Sequence, residues 1–443
     1  MSGDRYRKVP AARLSRLASF GQLAGGIAGG MLAEGARRLA AGERPRVSDL
    51  LLTPGNAMRL TEQLSKLRGA AMKLGQMISL DAGDLLPAEL TAILARLRDS
   101  AHYMPPSQLN QVLIAEWGKD WRKRFARFEA TPIAAASIGQ VHRAVLPDGR
   151  IIAIKVQYPG VAASIEADVD NVATLLRLSS LLPDGLDIAP LLAEAKQQLR
   201  EEADYLREAE QMRRYGALLA GNPAFIVPAP LPELSSDRIL AMDFIPGTPI
   251  DTLQAADQPT RDRAMGNLLE LVLRELFEFG FMQTDPNFAN YRWQAESGRI
   301  VLLDFGAARP VPEATIAAYR RLMLAGLADD SAALKSALLE VGFVSPVTLD
   351  RHAPALDAMI AVLMQHLGRP GLFDFADRSF VDEVRQSAET IAADRAAWHI
   401  PPADTLFVQR KVSGTALLAV RMAARLPLRD MVAAAVGVAP SAA

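Results

Sequence analysis

Asp285 and Asn290 stand five residues apart in MQTDPNFANY, and fourteen residues later Asp304 opens the triplet Asp304-Phe305-Gly306 behind the apolar run RIVLL. Carboxylate and amide oxygens are the ligands that hard divalent cations take. Upstream lie Lys155, in IIAIKVQ, and Glu202, in the apolar stripe Leu199–Glu202–Leu206–Ala209. A carboxylate facing a core is costly unless it is paired. Alone, Lys155 reads first as an edge-strand lysine with its amine in solvent. A lysine for anionic oxygens, two oxygen ligands for a cation and a third acid, Asp285, to align an attacking oxygen together make the equipment of phosphoryl transfer. The chain has no cysteine and five scattered histidines. Thiol nucleophiles, Fe–S clusters and Cys-based zinc sites are thereby excluded, and a His-held metal is disfavoured. With a net charge of −1, nucleic-acid binding by bulk electrostatics is disfavoured too.

The elements that must position these groups are legible in outline. AAASIGQ (134–140) is a loop of small residues; VHRAVL and IIAIKVQ flank the turn Pro147-Asp148-Gly149 and predict a β-hairpin, the second strand alternating with period two. Residues 186–220 read as helix, and a proline-punctuated stretch, 222–235, follows. ILAMDFIPG (239–247) reads as a buried strand running into a turn. A long apolar helix over 260–280 is expected to close at Gly280. RIVLLDFG (299–306) is a second buried strand, and the chain past 311 is expected to be almost wholly helical. Leu60, Leu64, Leu67, Ala71, Leu74 and Ile78 form one face of a helix over 59–80; Gly69, Lys73 and Gln76 fall on its other side, by periodicity a solvated one.

Asp, then Asn at +5, then DFG is the spacing of a protein-kinase catalytic loop and metal site, and a strand lysine with a helix glutamate is the ion pair of a kinase N-lobe. The departures are specific. Where kinases carry G-x-G-x-x-G, Gly139 is the single glycine, so the lid should be stiffer. Gln283 replaces the usual His, and Asn287 replaces a phosphate-neutralising Lys. DFGAARPVPEATIAAYRR turns helical with no A-P-E segment, so a docking platform for a peptide substrate is missing. A small-molecule kinase or an ATPase is favoured.

The strings KLGQM (73–77), AAASIGQVH (134–142), IKVQYPGVA (154–162), EADYLREA (202–209), MQTDPNFANY (282–291) and DFGAAR (304–309) resemble the UbiB/ADCK (aarF-domain) atypical kinases of coenzyme Q biosynthesis, most of all the mitochondrial ADCK-type subgroup. Phe288 stands where tryptophan is commoner in that motif. The resemblance implies an α+β, protein-kinase-like bilobal fold with an N-terminal helical KxGQ extension and a helical C-terminal extension. It reverses the reading of Lys73 and Gln76, which in the family point inward over the active site; the family's ExD motif corresponds to Glu202 and Asp204, with Glu208 the glutamate of the REA that follows. It implies catalytic Asp285, Lys155 and Glu202; nucleotide contacts from Ala134, Ala135, Ala136, Ser137, Ile138, Gly139, Gln140, Ala153, Lys155, Met242, Asp243, Phe244 and Ile245; and metal ligands Asn290 and Asp304. The implied cofactors are ATP or ADP with Mg²⁺ or Mn²⁺.

The domain reading is a basic, Gly/Ala-rich segment over 1–45, the KxGQ extension over 46–125, an N-lobe over 126–245, a C-lobe over 246–345 and a helical extension over 346–443. The ladder Gly21, Gly25, Gly29 beside basic Arg5–Arg16 reads either as a flexible linker or as a surface for helix packing or membrane contact; a signal peptide is disfavoured because the segment is glycine-rich. No stretch is a convincing membrane span, so the expected location is cytoplasmic and peripheral at the inner membrane, without a transmembrane anchor. Expected partners are nucleotide, quinone precursors, an anionic membrane surface, and a second copy of the chain or coenzyme Q biosynthesis proteins; nucleic acid is not expected. The leading reading is an ATPase or unorthodox kinase supporting ubiquinone biosynthesis. The alternatives are a lipid or small-molecule kinase and a nucleotide-binding pseudo-kinase scaffold.

Overall fold

The computed structural model describes residues 103–178, 189–397, 399 and 401–438. The expectations for the Gly ladder, Lys73, Gln76 and the helix over 59–80 lie outside the described residues. The chain divides into two compact units, the first including 103–214 and 228–245 and the second 215–227 and 246–438.

The first unit carries a five-stranded antiparallel sheet. Its strands are β1 (Arg127–Phe128), β2 (Ala134–Ala135), β3 (Gly139–Val145), β4 (Ile151–Gln157) and β6 (Ile239–Asp243), in the order β1-β3-β4-β6 with β2 also paired to β3. The β3–β4 hairpin pairs Val145 with Ile151 across the expected turn, where Gly149 takes φ +89°. β4 is buried on both faces from Ile152 to Gln157, whereas its alternation had predicted one wet face. The reason is its place at the sheet's centre, between β3 and β6. The helices of this unit are α1 (Pro106–Trp117), α2 (Val161–Leu178), α3 (Ala189–Glu202) and α4 (Tyr205–Leu218), the last entering the second unit at Tyr215. Trp117, Trp121, Phe125 and Phe128 form an aromatic cluster at the β1 edge. Lys196 of α3 pairs with Glu166 and Asp170 of α2, and Arg200 pairs with Glu166.

The second unit has a four-stranded sheet, β5 (Phe225–Ile226), β10 (Arg299–Leu302), β9 (Tyr291–Gln294) and β7 (Thr248–Pro249), in that order. A separate pair is β8 (Phe281–Gln283) with β11 (Ala308–Pro310). The long helix, α5, runs Gln258–Phe277, capped at its start by the Asp257 carboxylate on the Thr260 amide. It ends three residues before Gly280, whose φ of +56° turns the chain into β8. Beyond 311 lie α6 (Glu313–Leu327), α7 (Ser331–Val341), α8 (Pro346–Leu367), α9 (Val381–Ala392), α10 (Ala403–Arg421) and α11 (Leu428–Val436), interrupted by the short pair β12 (Phe373–Asp374) and β13 (Arg425–Leu426).

The compact units do not divide at 345/346. Val408 of α10 shares one core with Val272 and Leu276 of α5, Met282 of β8 and Tyr319 of α6. The C-terminal helices are thus built into the second unit. Among the described residues, no helix is long and apolar enough to cross a membrane.

Candidate active site

Lys155 sits mid-strand on β4, opposite Val141 of β3 and Leu240 of β6. Its ammonium lies 2.9 Å from each carboxylate oxygen of Glu208 and 5.1 Å from the centre of the Tyr205 ring. All three side chains are buried, so the pair is held in a low-dielectric setting where both charges need each other. The glutamate gripping the lysine is therefore Glu208, not Glu202. The expected stripe fails because the helix breaks after Glu202 and restarts at Tyr205. Leu206 is then 47% exposed, and fully buried Tyr205 takes the inward position.

The acids around the break have separate tasks. Asp204 is exposed and caps α4, its carboxylate accepting from the Arg207 amide at 2.8 Å. Glu202 accepts from the Ser137 hydroxyl at 2.9 Å, which ties the tip of the alanine loop to the end of α3. Gln157 holds the break against the sheet, donating to the carbonyls of Ala203 at 2.6 Å and Asp237 at 3.1 Å.

The alanine loop is a tight hairpin. Ala134 and Ala135 pair with Val141 and Gln140, the Ala136 amide donates to Gly139, and the Tyr158 amide donates to Ile138. Ile138 is almost completely buried, so the turn Ser137-Ile138 is plugged into the unit rather than waving over a ligand. Gly139 is required by close approach, because a Cβ there would lie 2.4 Å from the Val156 carbonyl oxygen.

Gln140, expected among the nucleotide contacts, is instead turned into the core. Its carbonyl accepts from the Met104 amide at 2.8 Å, and its amide nitrogen meets His142 Nε2 at 2.9 Å. His142 Nδ1 meets the Glu129 carbonyl at 2.9 Å. A carbonyl can only accept, so Nδ1 carries the proton and Nε2 accepts from Gln140. Burial lowers the His142 pKa from 6.5 to about 4, against the opposing pull of the Glu129 carbonyl. The unfolded chain therefore binds a proton in the window between these values that the folded chain does not. Stability should fall by about 3 kcal/mol as pH drops from above 6.5 to 4. Urea unfolding at pH 7 and pH 4.5 should show this fall in the wild type and a flatter dependence in His142→Asn; equal slopes would contradict the buried neutral ring.

Ala153 and Met242 face each other across β4 and β6. Beyond them the Asp243 amide donates to the Ala229 carbonyl, and the Phe244 amide donates to Ile151. Phe244 and Ile245 are half-buried at the strand's end.

In the second unit, the catalytic-loop residues are set by β8, β9 and β10. The Asp285 amide donates to the Gln283 side chain at 3.1 Å, so the glutamine standing in for histidine shapes the loop. Asn287, where a lysine was expected, accepts from the Ala289 amide and caps the turn. The Leu303 amide donates to the Asn290 carbonyl at 3.0 Å, which fastens the segment bearing Asp304 beside Asn290. The Asn290 amide nitrogen lies 3.4 Å from an Asp285 carboxylate oxygen, leaving its amide oxygen turned away from that acid. Asp304 accepts from the Gly306 amide through Oδ1 at 3.0 Å. Carboxylate and amide oxygens with no sulfur or imidazole fit Mg²⁺ or Mn²⁺ by donor chemistry.

Phe305 is buried against Tyr215, ring centres 4.9 Å apart. The Tyr215 hydroxyl donates to buried Glu275 at 2.9 Å. Glu275 lies 3.4 Å from Lys411, which donates to the Tyr291 oxygen at 3.0 Å. Burial alone would lower the Lys411 pKa, but Glu275 and the Tyr291 oxygen more than offset it and hold it above the usual lysine value. Sequence reasoning missed this network, and it missed Tyr205 and Gln157. Gln157 had a signal, its place two residues past Lys155 on the same strand face; Lys411 and Glu275 had none.

Residues 96–338 match the family described as the ABC1 atypical kinase-like domain. The chain is 40% identical over 435 residues to the atypical kinase COQ8B, mitochondrial, of Danio rerio, covering 96% of this chain and 69% of the relative. It is 38% identical over 423 residues to the atypical kinase COQ8, mitochondrial, of Saccharomyces cerevisiae, covering 94% and 83%. Among solved structures it is similar to Rv3197 of Mycobacterium tuberculosis in complex with erythromycin, at TM-score 0.58 and 26% identity over 85% of this chain and 94% of that one. With its kinase-like fold and motifs, the chain belongs to the ABC1 atypical kinases, the UbiB/ADCK family.

Proposed function

We propose that the protein binds a purine nucleotide with a divalent cation and hydrolyses it, or transfers its terminal phosphoryl group to a small acceptor, in support of ubiquinone biosynthesis at a membrane surface. The observation that carries this reading is the bidentate Lys155–Glu208 pair in a chain where the Leu303 amide, next to Asp304, is bonded to the Asn290 carbonyl. Lys155, oriented by Glu208, offers its ammonium to the α- and β-phosphates. Asn290 and Asp304 would hold the cation, which when bound neutralises charge on the phosphate oxygens. Asp285 aligns the attacking oxygen, of water or of a small hydroxyl compound, and takes its proton.

The tethered lid supports hydrolysis or a small acceptor over a peptide acceptor. The chain passes from Gly306 to α6 through only β11 and a short turn, which leaves little room for an activation segment. The named mitochondrial relatives support the pathway assignment. ATP turnover by the purified full chain, with and without anionic liposomes and a 2-alkylphenol, tests the reading. Stimulation by both is expected. Turnover indifferent to both, with phosphate appearing on an added lipid or metabolite hydroxyl, would favour the small-molecule kinase instead.

A further inference from the structure

Four residues of α10, spaced by four, three and seven, meet the functional segments of the second unit one after another. Phe407 lies under Arg309 of DFGAAR, the guanidinium 3.8 Å from the ring centre. Lys411 donates to the Tyr291 oxygen, next in sequence to Asn290. Gly414 faces Pro286, next to Asp285, so closely that a Cβ would sit 2.1 Å from the proline's own. Arg421 stacks on Phe288 at 4.9 Å. Steps of three, four and seven keep residues on one helix face, so a single stripe of α10 backs the whole loop 285–291. The stripe is anchored through Lys411 and Glu275 to α5, and through Tyr215 to Phe305.

We propose that α10 is the backing plate of the catalytic loop and that Lys411 is a positioning residue for the cation ligand Asn290, acting through Tyr291. Lys411 touches neither phosphate nor cation. It ties the strand that begins at Tyr291 to a buried carboxylate, so that Asn290 enters cation binding already placed. This inference rests on the metal role assigned to Asn290. It also gives the Phe288 departure a structural reading, since a phenyl ring there still accepts Arg421 on its face.

The test uses the full chain carrying Lys411→Met or Tyr291→Phe, with Ala416→Ser, half-buried on the opposite face of α10, as control. In metal-free protein, hydrogen–deuterium exchange over 285–291 is expected to quicken in both variants and to stay at the wild-type rate in Ala416→Ser. The Mg²⁺ concentration giving half the nucleotide-induced rise in Tm is expected to increase about tenfold or more in both, as for other groups that hold a metal ligand in place. A merely structural role would lower the basal Tm and leave that Mg²⁺ midpoint alone. Folded Lys411→Met with wild-type exchange and a wild-type midpoint would overturn the proposal. If Lys411→Met does not fold, Tyr291→Phe, which removes one hydroxyl, decides in its place. If the wild type itself shows no Mg²⁺-dependent response to nucleotide, the metal role of Asn290 falls, while the exchange measurement still reads whether Lys411 positions the loop.

Discussion

Lys155→Met and Glu208→Gln are expected to be strongly coupled, by about 2–3 kcal/mol in a double-mutant cycle of urea unfolding. Each single change leaves one buried charge facing an uncharged group, the case in which breaking an ion pair costs most, about 3–5 kcal/mol. The double variant removes both charges and recovers part of that loss. The cycle built with Glu202→Gln is expected to show coupling within ~0.5 kcal/mol, because Glu202 serves the Ser137 hydroxyl. Equal coupling in the two cycles would return Glu202 to the lysine and would contradict the geometry at Glu208. Nucleotide affinity should follow the same order, since a Lys155 released from Glu208 loses its aim at the phosphates.

Asp304→Asn and Asp285→Asn are expected to separate binding from chemistry. The asparagine at 304 keeps an oxygen for the Gly306 amide, so the turn survives while the charge that draws the cation is gone. Nucleotide at one hundred times its dissociation constant stabilises a protein by about 2.7 kcal/mol. That Mg²⁺-dependent gain should vanish in Asp304→Asn. Asp285→Asn should keep it, because its amide can still meet Asn290, yet lose about 10²–10⁴ in turnover, the range of a general base. Retained turnover in Asp285→Asn would favour the pseudo-kinase scaffold. Thermal melts with and without Mg²⁺, beside phosphate release, read both arms.

The most legible residues were those whose chemistry restricts their type. Oxygen ligands and a base cannot be exchanged freely, and their spacing is imposed by one loop and one hairpin, so Asp285, Asn290 and Asp304 stand out in a bare sequence. The strands that carry them were equally readable from apolar runs bounded by turn residues. The partner of Lys155 was misread because helical periodicity assumes an unbroken helix, and the break at Ala203 and Asp204 shifts the inward face from Leu206 to Tyr205. The burial of β4 on both sides is set by its neighbours in the sheet, which alternation within the strand does not encode. Lys411 was invisible for a related reason. A lysine in a helix reads as surface, and what buries it, Glu275 and Tyr291, lies more than a hundred residues away in sequence. Whether the C-terminal helices buttress the second unit was likewise left open by the sequence, and α10 does so, in the core around Val272 and Tyr319.

Calorimetric titration of ATP and ADP into the purified full chain, in Mg²⁺ and again in excess chelator, bears most directly on the nucleotide role proposed for Lys155 and Glu208 and the cation role proposed for Asn290 and Asp304. Binding should be measurable in Mg²⁺, weaken sharply in chelator, and in Asp304→Asn be no stronger in Mg²⁺ than in chelator. Binding of equal strength in Mg²⁺ and in chelator, or no binding in either, would contradict a metal-dependent nucleotide site.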